Sequence, residues 1–137
     1  MSELGRVNKH KTTHQDAGAD EIDVTGLAGR CDYVDRGDPA DSDFTITDFV
    51  TDGTWYDKDF SSIVPANAKA IHLLLRIRAL NVGAFFYLRT KGNVNIKNMI
   101  HSWTQVSAEY SGGDFIIVPD ANRILEYLGN NTVFQNI

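Results

Sequence analysis

The stretch AIHLLLRIRAL, residues 70–80, decides the fold class of this chain. Apolar residues occupy every second position, and the positions between them include one histidine and two arginines. A period of two is typical of a strand that buries one face. A helix can also be drawn here, but the β-branched and aromatic residues of the neighbouring segments favour a strand. We therefore expect a strand whose buried face is formed by Ile71, Leu73, Leu75, Ile77 and Ala79.

Other short segments around this strand have the same character and are separated by turn-forming residues such as Asp52-Gly53 and Gly112-Gly113. Short strands spaced by about ten residues are typical of sandwiches and related barrels. The sequence thus predicts an all-β fold, an antiparallel β-sandwich or jelly roll without helices. The further predicted strands cover residues 44–50, 54–60, 84–90, 94–100, 104–110, 114–119, 123–128 and 132–137.

Composition limits the classes of protein that the chain can represent. With 137 residues, 42% of them hydrophobic, it has room for one domain with a moderate core. No apolar run approaches the ~18 residues of a membrane span, and no signal peptide is recognisable, so we expect no membrane insertion. Cys31 is the single cysteine, so no intrachain disulfide is expected, which fits synthesis in a reducing cytoplasm.

The chain divides into an arm (residues 1–29), an Asp-rich connector (30–43) and a head (44–137). Within HKTTHQDAGADEIDVTGLAG, residues 10–29, the only large aliphatic side chains are Ile22, Val24 and Leu27. So little apolar area does not offset the ~1–2 kcal/mol per residue of backbone entropy lost on ordering. We therefore expect an extended arm that orders only against a partner.

Charge is distributed unevenly between the two ends of the chain. The net charge of −5 combines an acidic segment, residues 1–60, with a mildly basic segment, residues 61–137. Acidic and basic segments attract each other over about 8 Å, although aspartates that merely populate turns explain the pattern as well. A continuous basic stripe, which phosphate binding needs, is missing, so we expect no nucleic-acid partner.

The arm resembles a segment found in structural proteins of tailed bacteriophages. That segment has the form His-x-x-x-His followed by Gly-x-Asp-Glu-Ile-x-Val-x-Gly-Leu-x-Gly, and it precedes a fibre, adhesin or head-surface domain. One departure is Ala17, where the segment often has a second glycine. The matching residues are His10, His14, Gly18, Asp20, Glu21, Ile22, Val24, Gly26, Leu27 and Gly29.

This resemblance implies a non-enzymatic virion protein, made in the host cytoplasm, that other virion proteins hold by its arm. Such proteins are commonly homotrimers on tails or capsids. DEIDVTGL alternates apolar and polar residues, so it suits addition to the edge of a partner's sheet. The apolar anchors would be Ile22, Val24 and Leu27, and the polar docking residues His10, His14, Asp20 and Glu21.

Sites for metals and for catalysis are poorly supported. His10 and His14 would share a face only in a helix, and the residues around them form helices poorly, so we favour a hydrogen-bonding role over a metal between subunits. The aspartates of the connector lack the spacing of a calcium loop. Glu109 and Glu126, the best acid–base pair available, lie on separate predicted strands. We therefore expect no metal, no cofactor and no enzymatic activity.

Aromatic residues of the head suggest an alternative function. Exposed rings on a β-sandwich stack against sugar rings, which is how a head that recognises a host surface glycan would work. Packing in the core or between subunits is the competing explanation. The candidate glycan contacts are Trp55, Tyr56, Trp103 and Tyr110.

Overall fold

The computed structural model describes residues 33–130 and 133–137. The arm-docking residues proposed from the sequence lie outside the described residues, so their role stays a prediction; they are His10, His14, Asp20, Glu21, Ile22, Val24 and Leu27. Within the described residues of the head, no helix is long and apolar enough to cross a membrane.

In the described part of the chain, seven strands form two antiparallel sheets that pack as a sandwich, so the predicted all-β sandwich is confirmed. The four-stranded sheet has the order β1-β6-β3-β4, and the three-stranded sheet has the order β5-β2-β7. A jelly roll has eight strands, one more than the described residues form. The strands are β1 (Tyr56–Asp59), β2 (Ile71–Ala79), β3 (Phe85–Thr90), β4 (Met99–Trp103), β5 (Tyr110–Ile117), β6 (Ile124–Gly129) and β7 (Phe134–Asn136).

Strand β2 is the centre of the three-stranded sheet, between β5 and β7. The predicted inward face is confirmed, because Ile71, Leu75, Ile77 and Ala79 are buried and Leu73 is half-buried. From the opposite sheet, β3 and β6 contribute buried residues to the same core, among them Phe86, Leu88, Leu125 and Tyr127. Alternation along both sheets thus places one hydrophobic layer between them.

Two of the predicted strands are wrong in part because local hydrogen bonds favour a tighter backbone. Residues 44–50 form a 3₁₀ turn, Ile46–Asp48, where the N–H of Thr45 donates to Asp48 Oδ2 at 2.8 Å. A second 3₁₀ turn, Ile96–Asn98, replaces most of the predicted strand 94–100, and the strand β4 begins only at Met99. Short polar side chains that bond to nearby backbone compete with strand pairing in this way.

The segment around Gly112 also differs from the prediction. Residues 104–110 form mostly a loop, whereas Gly112-Gly113, predicted as a turn, lie inside strand β5. Gly112 has a φ of +146°, and a Cβ at this position would overlap the carbonyl oxygen of Leu75 on β2. The glycine therefore permits close approach of two paired strands.

Candidate functional site

Four ring-bearing residues share the outer face of the four-stranded sheet at its β4 edge. Strands β3 and β4 pair antiparallel, with Phe85 opposite Trp103 and Tyr87 opposite His101. The side chains between them on each strand point into the core instead, as the pleat requires. We call Phe85, Tyr87, His101 and Trp103 the aromatic platform.

Ring contacts hold the aromatic platform together. Phe85 and Tyr87 stack with ring centroids 4.6 Å apart, and Tyr87 lies 4.5 Å from the His101 ring. The indole Nε1 of Trp103 donates a hydrogen bond to the Tyr87 hydroxyl at 3.3 Å. Trp103 is nonetheless 52% exposed. The platform is therefore an ordered, partly apolar surface that is open to solvent.

A shallow groove of about 570 Å³ continues the platform toward the turn that precedes β3. Thr104 stabilises this turn, because its hydroxyl donates to the carbonyl of Asn81 at 2.7 Å and accepts from the N–H of Ala84 at 3.0 Å. The groove is lined by Val82, Gly83, Phe85, Tyr87, Trp103, Thr104 and Gln105. Its walls are mostly apolar, which suits the flat face of a ring.

On the other side of strand β4 lies a smaller hollow of about 350 Å³, the β4–β5 cleft. Strands β4 and β5 are edge strands of the two sheets, so the cleft lies where the sandwich is open at its side. Trp103 and Gln105 line both this cleft and the groove. The other lining residues are His101, Ser102, Tyr110, Ser111, Gly112 and Phe115.

The four aromatic residues predicted as glycan contacts occupy different parts of the sandwich. Trp103 and Tyr110 both line the β4–β5 cleft. Tyr56 packs on Tyr127, with ring centroids 5.9 Å apart, and donates its hydroxyl to Asp52 at 2.8 Å. The guanidinium group of Arg89 lies 3.7 Å from the ring centroid of Trp55. Trp55 and Tyr56 are thus engaged in packing, and glycan contact by any of the four stays a prediction.

Sequence reasoning missed three members of the platform: Phe85, Tyr87 and His101. The period-two pattern of the predicted strand 84–90 already placed Phe85 and Tyr87 on one face. What was missing was the register that sets them against His101 and Trp103, which depends on pairing of residues distant in sequence.

Charged residues on the outer face of the four-stranded sheet form ion pairs beside the aromatic platform. The residues that line the groove and the β4–β5 cleft are uncharged. Arg89 Nε lies 2.7 Å from Glu126 Oε2, and Lys91 forms an ion pair with Asp57. The Asp57 carboxylate raises the pKa of Lys91 by accepting its hydrogen bond. No aspartate, glutamate, lysine or arginine lines the groove or the cleft within the described residues. The guanidinium groups of Arg76 and Arg78 nonetheless lie 5.5 and 5.6 Å from the ring centroid of Tyr110, which lines the cleft.

Metal-ligating and acid–base groups do not converge in the part of the chain that the structure describes. No group of three or more histidine, cysteine, aspartate or glutamate residues is arranged to hold a metal ion among residues 33–130 and 133–137. Glu126 is paired with Arg89 on the four-stranded sheet, whereas Glu109 is exposed in the loop before β5. The expectation of a non-enzymatic protein stays a prediction.

Comparisons with known proteins identify no relative of this chain: no family model, no curated protein and no solved structure matches it.

Proposed function

We propose that this chain is a non-enzymatic structural protein of a tailed-phage virion. Residues 1–29 attach it to other virion proteins, and the sandwich is displayed on the tail or the capsid surface. The observation that carries the proposal is the motif in residues 10–29, which precedes, across the connector, a head that folds as a β-sandwich. An arm poor in apolar area and a head with its own core suit attachment and display respectively.

The chain is proposed to act as a homotrimer, in line with the resemblance of its arm. Three copies would bring Ile22, Val24 and Leu27 together around one axis, or leave them free for a neighbouring protein. Light scattering on the full chain and on residues 42–137 separates these arrangements. A trimer of the full chain alone assigns oligomerisation to the arm, a trimer of both assigns it to the head, and two monomers contradict the proposal.

Mass spectrometry of purified particles tests the virion assignment. The chain is expected among the structural proteins, and antibodies against the head are expected to decorate intact particles, because the sandwich is displayed outward. Absence of the chain from purified particles contradicts the assignment. Detection of the chain only in lysates of infected cells, and not in particles, would also contradict the assignment.

A second candidate function is recognition of a host surface glycan, which the aromatic platform favours. Apolar faces of sugar rings stack on aromatic rings, and the platform presents such rings beside a groove without charged lining. Ring contacts pre-organise the platform, so little ordering is needed on binding. Binding of the full chain to a glycan array tests this function, and an array without any bound glycan contradicts it.

A further inference from the structure

Two arginine side chains on the outer face of strand β2 converge on one aromatic ring. Arg76 and Arg78 alternate with buried residues of β2, so both point away from the core. Their guanidinium groups lie 5.5 and 5.6 Å from the ring centroid of Tyr110, which is 50% exposed on the neighbouring strand β5. Tyr110 also lines the β4–β5 cleft, so the two positive charges lie at the border of this cleft. We call Arg76, Arg78 and Tyr110 the arginine cluster.

The positive charges of the arginine cluster are not neutralised by a carboxylate among the described residues. Two acidic residues lie nearby in sequence, Glu109 and Asp114, but neither forms an ion pair with the cluster. Asp114 lies 3.8 Å from His72 instead. Arg89, which also contacts an aromatic ring, has Glu126 at 2.7 Å. Two adjacent like charges repel each other, and an anion bound by both removes this repulsion.

Hydrogen bonds hold one arginine of the cluster in place. Arg78 Nε donates to the carbonyl of Ala108 at 2.7 Å, and the N–H of Ala108 donates to the carbonyl of Ala79 at 2.9 Å. Ala108 has a φ of +61°, a conformation that alanine rarely adopts and that these two bonds maintain. Contact with the Tyr110 ring further restricts both guanidinium groups. The cluster is therefore ordered without a ligand, and little ordering entropy is lost on binding.

The surroundings of the arginine cluster favour an acidic sugar as the ligand. A planar guanidinium group matches a planar carboxylate through two parallel hydrogen bonds. The adjoining cleft adds the amide of Gln105 and the hydroxyl of Ser111, which can pair with sugar hydroxyls. Trp103 lines both this cleft and the platform groove, so a ligand that extends from the cluster over β4 also contacts the exposed indole. The net charge of −5 disfavours a highly charged polyanion.

We propose that the arginine cluster is an anion subsite that binds the carboxylate of an acidic sugar, within an oligosaccharide whose neighbouring unit stacks on the aromatic platform. Arg76 and Arg78 donate hydrogen bonds to the carboxylate. The proposal rests on the glycan recognition proposed above and adds the ligand class, because glycans that carry sialic acid or a uronic acid then bind more tightly than neutral ones.

The test uses the full chain on an array of neutral, sulfated and carboxylated glycans, the last ending in sialic or glucuronic acid. Calorimetry follows with the tightest carboxylated ligand and its neutral counterpart. Arg76→Gln, at an exposed position, is expected to weaken binding of the carboxylated ligand by about tenfold or more, since it removes charge-assisted hydrogen bonds. Any binding of the neutral counterpart should stay unchanged. Lys69→Gln, the same loss of charge at an exposed position outside the cleft lining, should bind both ligands as wild type.

Each outcome separates the anion subsite from the glycan function on which it rests. Equal binding of neutral and carboxylated glycans overturns the subsite and keeps the glycan function. Equal effects of Arg76→Gln and Lys69→Gln on the carboxylated ligand do the same. A preference for sulfated over carboxylated glycans overturns the carboxylate ligand. An array without any bound glycan overturns both proposals, and binding of polyglutamate in that case assigns the cluster to an acidic protein partner.

Discussion

Trp103 and Tyr87 lie on adjacent strands, and the indole Nε1 of Trp103 donates to the Tyr87 hydroxyl at 3.3 Å. This bond satisfies the single polar donor of the indole while half of the side chain stays exposed. The ring is thereby held on the sheet face instead of sampling several orientations. Because the exposed indole also lines the groove beside the aromatic platform, Trp103 is the centre of the proposed glycan site.

Replacement of Trp103 by alanine is expected to remove glycan binding, by at least about tenfold in Kd, because stacking on the indole is lost. The melting temperature is expected to change little, since the side chain lies on the solvent face. Tyr33→Ala removes another exposed ring, outside the platform, and should bind normally. Calorimetry and thermal melts measure both effects. Equal losses in the two variants would contradict a specific platform.

Ser102 and Thr104 allow a stability comparison without any ligand. Thr104→Val removes the hydrogen bonds that the Thr104 hydroxyl makes with the carbonyl of Asn81 and the N–H of Ala84, so it is expected to lower the free energy of unfolding by ~1–3 kcal/mol. Ser102→Ala removes a hydroxyl that has no partner within the described residues, so stability should stay equal or rise by up to ~1 kcal/mol. Urea unfolding compares the two. A Ser102→Ala variant as unstable as Thr104→Val would show that Ser102 is paired within the head.

Gly112 and Gly113 provide a matched pair for the close approach of β5 to β2. Gly112→Ala is expected to lower the free energy of unfolding by ~3 kcal/mol or more, because its Cβ would overlap the Leu75 carbonyl. Gly113→Ala has room, with the nearest atom 4.0 Å away, and should change stability by no more than ~1 kcal/mol. Urea unfolding of both variants measures the difference. Similar stabilities would contradict the described β2–β5 pairing.

The hydrogen bond from Tyr56 to Asp52 predicts a pH dependence of stability. This hydrogen bond lowers the pKa of the Asp52 carboxyl group, and it raises the pKa of the Tyr56 hydroxyl that donates it. The Asp52 contribution is therefore present above the unfolded pKa near 4 and is lost as the pH falls below it. The Tyr56 contribution is present below about pH 10 and is lost as the pH rises through its raised pKa.

Tyr56→Phe removes the Tyr56 effect and the part of the Asp52 effect that the Tyr56 hydroxyl supplies, whereas the N–H of Thr54 still donates to Asp52. The stability difference between wild type and this variant is expected to be largest at neutral pH, and to shrink toward pH 3 and above pH 10. Urea unfolding at several pH values measures the difference. A difference that is constant across this range would show that the Tyr56 hydroxyl contributes nothing through Asp52.

The fold class could be predicted from the local hydrophobic pattern of the sequence. Several strands and turns could not, because they depend on hydrogen bonds that this pattern does not show. The alternation in residues 70–80 predicted β2 correctly, because that strand is buried on one face. Asp48 and Asn95 bond nearby backbone and turn two predicted strands into 3₁₀ turns, an outcome that hydropathy does not register.

The candidate site was predictable only in part for a similar reason. Trp103 was identified from its residue type and its position near the end of a predicted strand. Its partners on β3 were not, since they depend on the register between strands. Trp55 was predicted as a glycan contact, which stays a prediction; the contact of its ring with Arg89, 34 positions away in sequence, was not predicted. Long-range packing of this kind cannot be read from spacing.

The most direct test of the virion assignment is the number of copies per particle, counted by quantitative mass spectrometry for two triple-serine variants. Ile22, Val24 and Leu27 are replaced in one, and Val94, Ile96 and Val133, exposed apolar residues of the head, in the matched control. The account predicts that the arm variant folds but is lost from particles, whereas the head variant is incorporated as wild type. Full incorporation of the arm variant would contradict attachment through the arm.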